Sequence, residues 1–181
     1  MTLDTLSLVG LPGVFVSVAP LPSEAERDGL VTDSLRWMIE AALREGGVRV
    51  LSQAEWQVIF GNPMLWLGVH LVHPSPHFYL YSIELELRQL TSIPRDSMPA
   101  FGATWAAEDV VGTVPTVRLP TLRKHVRRLV NTFIGAWAAA QRYPHPLRRS
   151  RGPGGAESNP PPGRGGGPGA AAAPPHRGQK S

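Results

Sequence analysis

The 181-residue chain contains no cysteine. This absence excludes disulfide bridges, thiolate zinc sites and a cysteine nucleophile, and it fits any cellular compartment. Long apolar runs are also missing, because no stretch of the sequence approaches the roughly 20 apolar residues of a membrane-spanning helix. We therefore expect no transmembrane segment and a fold that is stabilised by packing alone.

Aromatic residues are missing from the end of the chain. Every Trp, Phe and Tyr lies at or before Tyr143, whereas nine of the 19 glycines and nine of the 19 prolines follow Gln141. A segment without aromatic and with few branched aliphatic residues cannot bury enough apolar surface to offset the entropy of ordering it. We predict one domain over residues 1–142 and a disordered Pro/Gly/Arg-rich tail over residues 143–181.

Charge divides the chain at the same place. Residues 1–142 carry 12 basic and 13 acidic side chains, and residues 143–181 carry 6 basic and 1 acidic. A domain so close to neutrality is not typical of nucleic-acid-binding proteins, whose affinity comes mostly from neutralising phosphates. The tail is either a basic arm that touches an anionic surface or an inert extension, and we favour the inert extension.

The N-terminal segment lacks the features of a secretory signal. Residues 1–13 have no basic region, and Pro12 and Gly13 break the apolar run. We expect a cytoplasmic protein as the sequence is written, and a periplasmic one if a signal peptide lies upstream of Met1.

The first half of the chain predicts a strand, a helix and a second strand. Residues 14–18 are β-branched and short, and residues 20–29 are polar and predict a loop. The helix begins near Thr32 and stops at Gly46 and Gly47. Its apolar positions recur at helical spacing on one face, at Leu35, Met38, Ile39, Ala42 and Leu43. Residues 48–51 then predict a strand parallel to the first.

The second half predicts a hairpin, an edge strand and a long helix. Residues 53–60 suggest a short helical turn, and residues 64–72 and 78–91 alternate as antiparallel strands around a turn at 73–77. Residues 94–100 predict a loop, residues 103–111 a further edge strand and residues 119–141 the strongest helix. The order β-α-β-β-β-(β)-α predicts an α+β two-layer sandwich: a mixed four- to five-stranded sheet with two helices on one face.

Several segments, taken in order, resemble a family of uncharacterised bacterial proteins. They are GLPGVFVSVAPL at 10–21, GL at 29–30 with EAALREGGVRVL at 40–51, ELRQL at 86–90, ATW at 103–105 and VRRLVNTFIGAW at 126–137. The resemblance implies no established activity and no catalytic residues. Members of the family are often exported behind a signal segment. This chain departs from that pattern because it starts almost directly at the domain, so we expect either a cytoplasmic protein or a true start upstream.

Two polar clusters are candidate reactive sites. His70, His73 and His77 lie within eight residues, but an odd separation on a strand points His70 and His73 to opposite faces, so we expect surface histidines rather than a metal site. Glu84, Glu86, Arg88 and His70 form either an acid-base cluster or a solvated sheet face with cross-strand charge pairs, and we favour the solvated face. No phosphate loop, nucleophile elbow or metalloprotease helix is present. We predict no catalytic residue, no metal, no cofactor and no enzymatic activity.

The long helix carries the densest basic cluster of the domain. Arg123, Lys124, Arg127 and Arg128, with Arg118 nearby, lie on its polar side. Such a cluster binds an anionic partner or forms a solvated helix face. We favour the solvated face.

Two tryptophans fall off the apolar faces of their elements. Trp37 lies opposite the buried side of its helix, and Trp66 lies on the polar side of its strand. Exposed tryptophans are favoured interface anchors, although a neighbouring segment can also cover them. We therefore predict a non-enzymatic binding or assembly module, of the bacterial cell envelope for example, that binds another protein or itself through a sheet edge or a Trp patch. The alternative is a nucleic-acid-associated protein that uses the basic helix and tail.

Overall fold

The computed structural model describes residues 3–93 and 98–143. Their elements are α1 Leu3–Leu6, β1 Phe15–Val18, α2 Ser23–Arg27, α3 Thr32–Glu45, α4 Gln53–Val58, β2 Met64–Ser75, β3 Phe78–Ile93, β4 Met98–Ala106, β5 Val110–Pro115, a 3-10 segment Thr116–Leu122, and α5 Arg123–Ala140. Apart from Tyr143, the predicted tail lies outside the described residues.

The sheet is mixed and has five strands. β1 pairs with β2 in parallel, and β2 and β3 form the predicted antiparallel hairpin. The other side of β3 is shared, because β4 pairs with its second half and β5 with its first half. β4 and β5 therefore follow each other along one edge of the sheet, separated by residues 107–109.

One face of the sheet is covered by α3 and α5, and the other is open except near β1, where Trp56 of α4 stacks on Phe15. The strand residues that face the helices are buried, and they pack with the apolar sides of α3 and α5 in a single core. The strand members of this core include Leu65, Leu67, Val69, Tyr79, Ile83, Leu85 and Leu87. Trp105 of β4 meets Phe133 of α5 edge to face, at 5.2 Å between ring centroids. The predicted α+β sandwich, with both long helices on one face, is confirmed.

The segment 20–29, predicted as a loop, contains the short helix α2. Ala25 is the buried residue of this short helix and belongs to the core. The strongly polar sequence around Ala25 conceals this burial, because one buried residue produces no periodic pattern.

No regular strand forms over the predicted range 48–51, although its predicted parallel orientation is confirmed. Only an isolated parallel bridge joins Val50 to Val14, where the Val14 amide donates to the Arg49 carbonyl at 2.9 Å. The chain then leaves the sheet because Ser52 caps α4: its hydroxyl accepts from the Glu55 amide, and the Glu55 carboxylate accepts from the Ser52 amide. This capping box confirms the predicted short helical turn, and the long parallel partner of β1 is β2 instead.

The predicted edge strand 103–111 is divided into two strands. β4 begins at Met98, within the predicted loop 94–100, of which residues 94–97 lie outside the described residues. The strand breaks at 107–109, where Glu108 and Asp109 interrupt an otherwise apolar stretch. The last helix also starts later than predicted, because Pro120 lies in the 3-10 segment and α5 begins at Arg123.

Candidate interaction surface

Trp66 lies at the centre of the open face and is half-buried there. Its ring lies over Gly68, where an added Cβ would be only 2.4 Å from the indole. The guanidinium of Arg88 stacks on the ring at 3.8 Å from its centroid, and the Arg88 Nε donates to the Glu86 carboxylate at 2.8 Å. The indole therefore lies flat on the sheet. Its exposed area is smaller than its position on the polar side of the strand suggests.

The other ionisable groups of the open face lie beside one another. His70 Nε2 lies 3.7 Å from the Glu84 carboxylate, and the exposed His70 and half-buried Glu84 both reach solvent. Glu86 is already bonded to Arg88. These contacts, one between β2 and β3 and one along β3, are those of a solvated sheet surface. Within residues 3–93 and 98–143, no three potential metal ligands converge.

Apolar side chains cluster at the far end of the open face, where β2 ends. Val72 lies directly opposite Leu80, and Val111 of β5 lies opposite Ser82, which is two residues from Leu80 along β3. Phe78 lies at the start of β3. Val72 and Val111 are 59% and 72% exposed, and Phe78 and Leu80 are 38% and 42% exposed. We call these four side chains the apolar patch.

The outer edge of β5 is unpaired within the described chain. The Thr116 amide donates to the His77 carbonyl at 3.0 Å, which fixes the hydrogen-bonded positions of the β3–β5 ladder. Because such positions alternate along an antiparallel ladder, the amide and carbonyl groups of Val111 and Thr113 point away from β3. On the neighbouring β4, by contrast, the hydroxyl of Ser7 covers the Thr104 carbonyl at 2.9 Å.

Charged residues lie before and after β5 but not within it. β5 reads VVGTVP and has no charged residue. Glu108 and Asp109 precede it and, with Arg128 of α5, line an open cleft of about 490 Å³. Arg118, which follows the strand, is exposed. The edge is therefore a neutral strand with acidic residues at one end and a basic residue beyond the other.

The four basic residues of the last helix make different contacts. A terminal nitrogen of Arg123 donates to the Gly29 carbonyl at 2.9 Å, and Arg127 binds the Glu45 carboxylate of α3 at 2.7 Å. Arg128 lines the cleft beside β5, and Lys124 is exposed to solvent. Two of the four cations thus connect elements of the fold.

Trp37 is the most exposed of the five tryptophans, at 73%. It lies on the outer side of α3, and Glu40 and Arg44 form an ion pair at 2.8 Å on the same helix. No described segment covers it, and Trp56 instead stacks on Phe15 at 5.3 Å. Trp37 and the apolar patch are separate exposed surfaces.

A polar cluster that the sequence analysis missed lies where α2 meets the hairpin. The buried Tyr79 donates its hydroxyl to the Asp28 carboxylate at 2.6 Å. Burial, and then the bond to Asp28, raises the pKa of Tyr79 to about 12. His73 stacks on the Tyr79 ring at 4.0 Å and lies 3.5 Å from the Glu24 carboxylate. The alternating pattern of β3 already predicts that Tyr79 faces the core. Because a buried tyrosine hydroxyl usually has a hydrogen-bond partner, this pattern could have indicated the cluster.

The histidines are separated as expected. His70 is on the open face beside Glu84, and His73 is on the helix side against Tyr79. This confirms that the two rings point to opposite faces.

Comparison of the chain with models of known protein families gives no match, and comparison with curated proteins gives none. The resemblance to a bacterial family therefore stays a prediction. Among the described residues, no helix combines the length and the apolar character that crossing a membrane requires.

Proposed function

We propose that this protein is a non-enzymatic binding module and that a partner protein docks on the open face of its sheet. The observation that carries the proposal is the apolar patch: four neighbouring apolar side chains lie exposed on a face that α3 and α5 leave uncovered. Contiguous apolar surface of this kind marks interaction sites in soluble proteins.

The chemistry of the surrounding residues supports binding rather than catalysis. Glu86 and Arg88 bind each other, and Arg88 also covers Trp66. A general acid or base needs a poised proton and a substrate within reach, and these groups instead satisfy one another on an open surface.

Association with nucleic acid receives less support. Its main basis is the basic cluster on the last helix, and there Arg123 and Arg127 are engaged by Gly29 and Glu45. Lys124 and Arg128 alone give too few phosphate contacts for strong electrostatic binding.

Affinity capture with matched variants tests the proposal. The tagged full chain, Leu80→Glu and Val58→Glu are each incubated with extract of the cells that express the protein. Leu80→Glu places a carboxylate in the centre of the apolar patch. Val58→Glu makes the same change at a side chain that is 85% exposed on α4, at the other end of β2.

We expect a specific partner that the wild-type chain and Val58→Glu retain equally and that Leu80→Glu loses by at least about ten-fold, equal to about 1.4 kcal/mol of binding free energy. Thermal unfolding of all three chains serves as the folding control. Equal retention by Leu80→Glu, or no retention above background by the wild-type chain, would refute the proposal.

A further inference from the structure

We infer that a second copy of this chain adds to the free edge of β5, so that the two β5 strands lie antiparallel about a two-fold axis at Gly112. This inference concerns the edge of the sheet and not its open face. It therefore goes beyond the proposed function and can fail while that function stands.

The backbone of β5 permits this register. Val111 and Thr113 present their amide and carbonyl groups outward, and antiparallel strands bond by exchanging both bonds between facing residues. Centring the pair on Gly112 sets Val111 of each copy opposite Thr113 of the other and forms about four hydrogen bonds. Centring it on Thr113 would instead oppose Val111 to Pro115, which has no amide hydrogen.

The composition of the edge also favours pairing. Natural sheets protect exposed edges with charged residues, prolines, bulges or covering segments. β5 has no charge along its six residues, and its only proline, Pro115, is the last of them. The adjacent β4 shows the ordinary protection, because Ser7 occupies its Thr104 carbonyl.

Charge complementarity identifies the occupant as a second copy. Glu108 and Asp109 lie just before β5, and Arg118 lies just after it. Antiparallel pairing about Gly112 sets Glu108 of each copy opposite Thr116 of the other, two residues from Arg118, whereas parallel pairing would bring like charges together. The chain thus supplies both halves of its own interface.

The size of the contact sets the expected strength. Six residues on each side make an interface at the small end of the known range, below about 1,200 Å² in total. We expect a dissociation constant in the micromolar range. In the dimer the sheets are continuous, and the two Val111 side chains bring both apolar patches onto one surface.

Analytical ultracentrifugation of the full chain over a range of concentrations tests the inference, with two variants of one edge residue. Thr113→Pro removes an amide hydrogen that points outward and leaves the bonds to β3 in place, since edge strands accept proline where the N–H faces solvent. Thr113→Val is the matched control because it keeps both the amide and a β-branched side chain. We expect wild type and Thr113→Val to dimerise alike and Thr113→Pro to dimerise at least about ten-fold more weakly.

A charge exchange tests the orientation without altering the strand. Arg118→Glu alone, and Glu108→Lys with Asp109→Lys together, should each weaken the homodimer. An equimolar mixture of the two variants should form heterodimers as strong as the wild-type dimer, because each opposed end regains unlike charges.

A wild-type chain that stays monomeric to several hundred micromolar would overturn the inference. So would a folded Thr113→Pro variant that dimerises like the wild type, or a mixture of charge variants that shows no recovery. If the chain is monomeric but still captures a partner that Leu80→Glu loses, the inference fails and the proposed function stands.

Discussion

Replacing Tyr79 with phenylalanine removes one hydroxyl from the junction of α2 and the hairpin and leaves the buried ring in place. The hydroxyl donates to the Asp28 carboxylate at 2.6 Å, and the Tyr79 side chain is 1% exposed. A hydrogen bond to a charged group contributes roughly 1.5–3 kcal/mol. Asp28 is half-buried and can bind water when the hydroxyl is lost. We therefore expect the lower part of that range, about 1.5–2 kcal/mol, at pH 7.

The same bond makes stability depend on alkaline pH. The pKa of Tyr79 is raised to about 12 in the folded protein, from about 10 when the side chain is free, so folding favours the neutral phenol. This contribution is fully present below pH 10 and is lost as the pH rises through about 12. It amounts to at most about 2.7 kcal/mol. The difference in unfolding free energy between wild type and Tyr79→Phe should therefore stay constant up to pH 10 and shrink above it.

Urea unfolding at several pH values, followed by circular dichroism, measures this difference. Tyr81→Phe is the control, since no hydrogen bond of the Tyr81 hydroxyl is found within the described chain, and its loss should change the unfolding free energy by less than about 0.5 kcal/mol. A Tyr79→Phe effect below about 0.5 kcal/mol at pH 7 would refute the argument. An effect that stays unchanged to pH 12 would refute the assignment of the raised pKa.

Three further substitutions test other parts of the molecule by thermal or urea unfolding. Trp37→Ala should change the unfolding free energy by less than about 0.5 kcal/mol, because the indole is 73% exposed, and a loss above about 2 kcal/mol would show that it packs on the core. Gly68→Ala should lower the unfolding free energy by about 1–3 kcal/mol, because the added methyl group would displace the ring of Trp66. The same displacement should alter the near-ultraviolet circular dichroism spectrum. An unchanged spectrum would contradict the packing described. Arg123→Ala should lower the unfolding free energy by about 1–2 kcal/mol more than Lys124→Ala, because of these two side chains only Arg123 donates a hydrogen bond to a carbonyl of another segment. Equal losses would argue that both side chains are solvated.

The parts of the fold that alternate strictly could be predicted from the sequence. Residues 78–91 separate apolar and polar side chains with a period of two, and the structure buries Ile83, Leu85 and Leu87 while Glu84 and Glu86 lie on the other face. The long helices were equally clear from their apolar stripes. A one-residue error in register would reverse the face of every side chain, so the pattern determines the burial.

Features that depend on distant contacts could not be predicted. The parallel partner of β1 is β2 and not residues 48–51, because the capping of α4 ends that segment early. The division of the edge strand also depends on tertiary structure, since β3 is long enough to hold two partners end to end.

The candidate site, like the fold, could be predicted only in part from the sequence. The sequence placed Trp37 and Trp66 off the apolar faces, and the structure agrees. It gave no sign of the stack between Arg88 and Trp66 or of the bond from Tyr79 to Asp28, which lies 51 residues away. Contacts of this kind form only when separate elements pack together, so no periodic pattern in the sequence predicts them.

Hydroxyl-radical footprinting tests most directly whether the uncovered side of the sheet is the binding surface. The full chain is labelled alone at low concentration and again in complex with the partner that it captures. We expect Val72, Leu80 and Val111 to be labelled in the isolated chain and protected in the complex, while Trp37 stays labelled in both. Protection of Trp37 with unchanged labelling of the apolar patch would contradict this account.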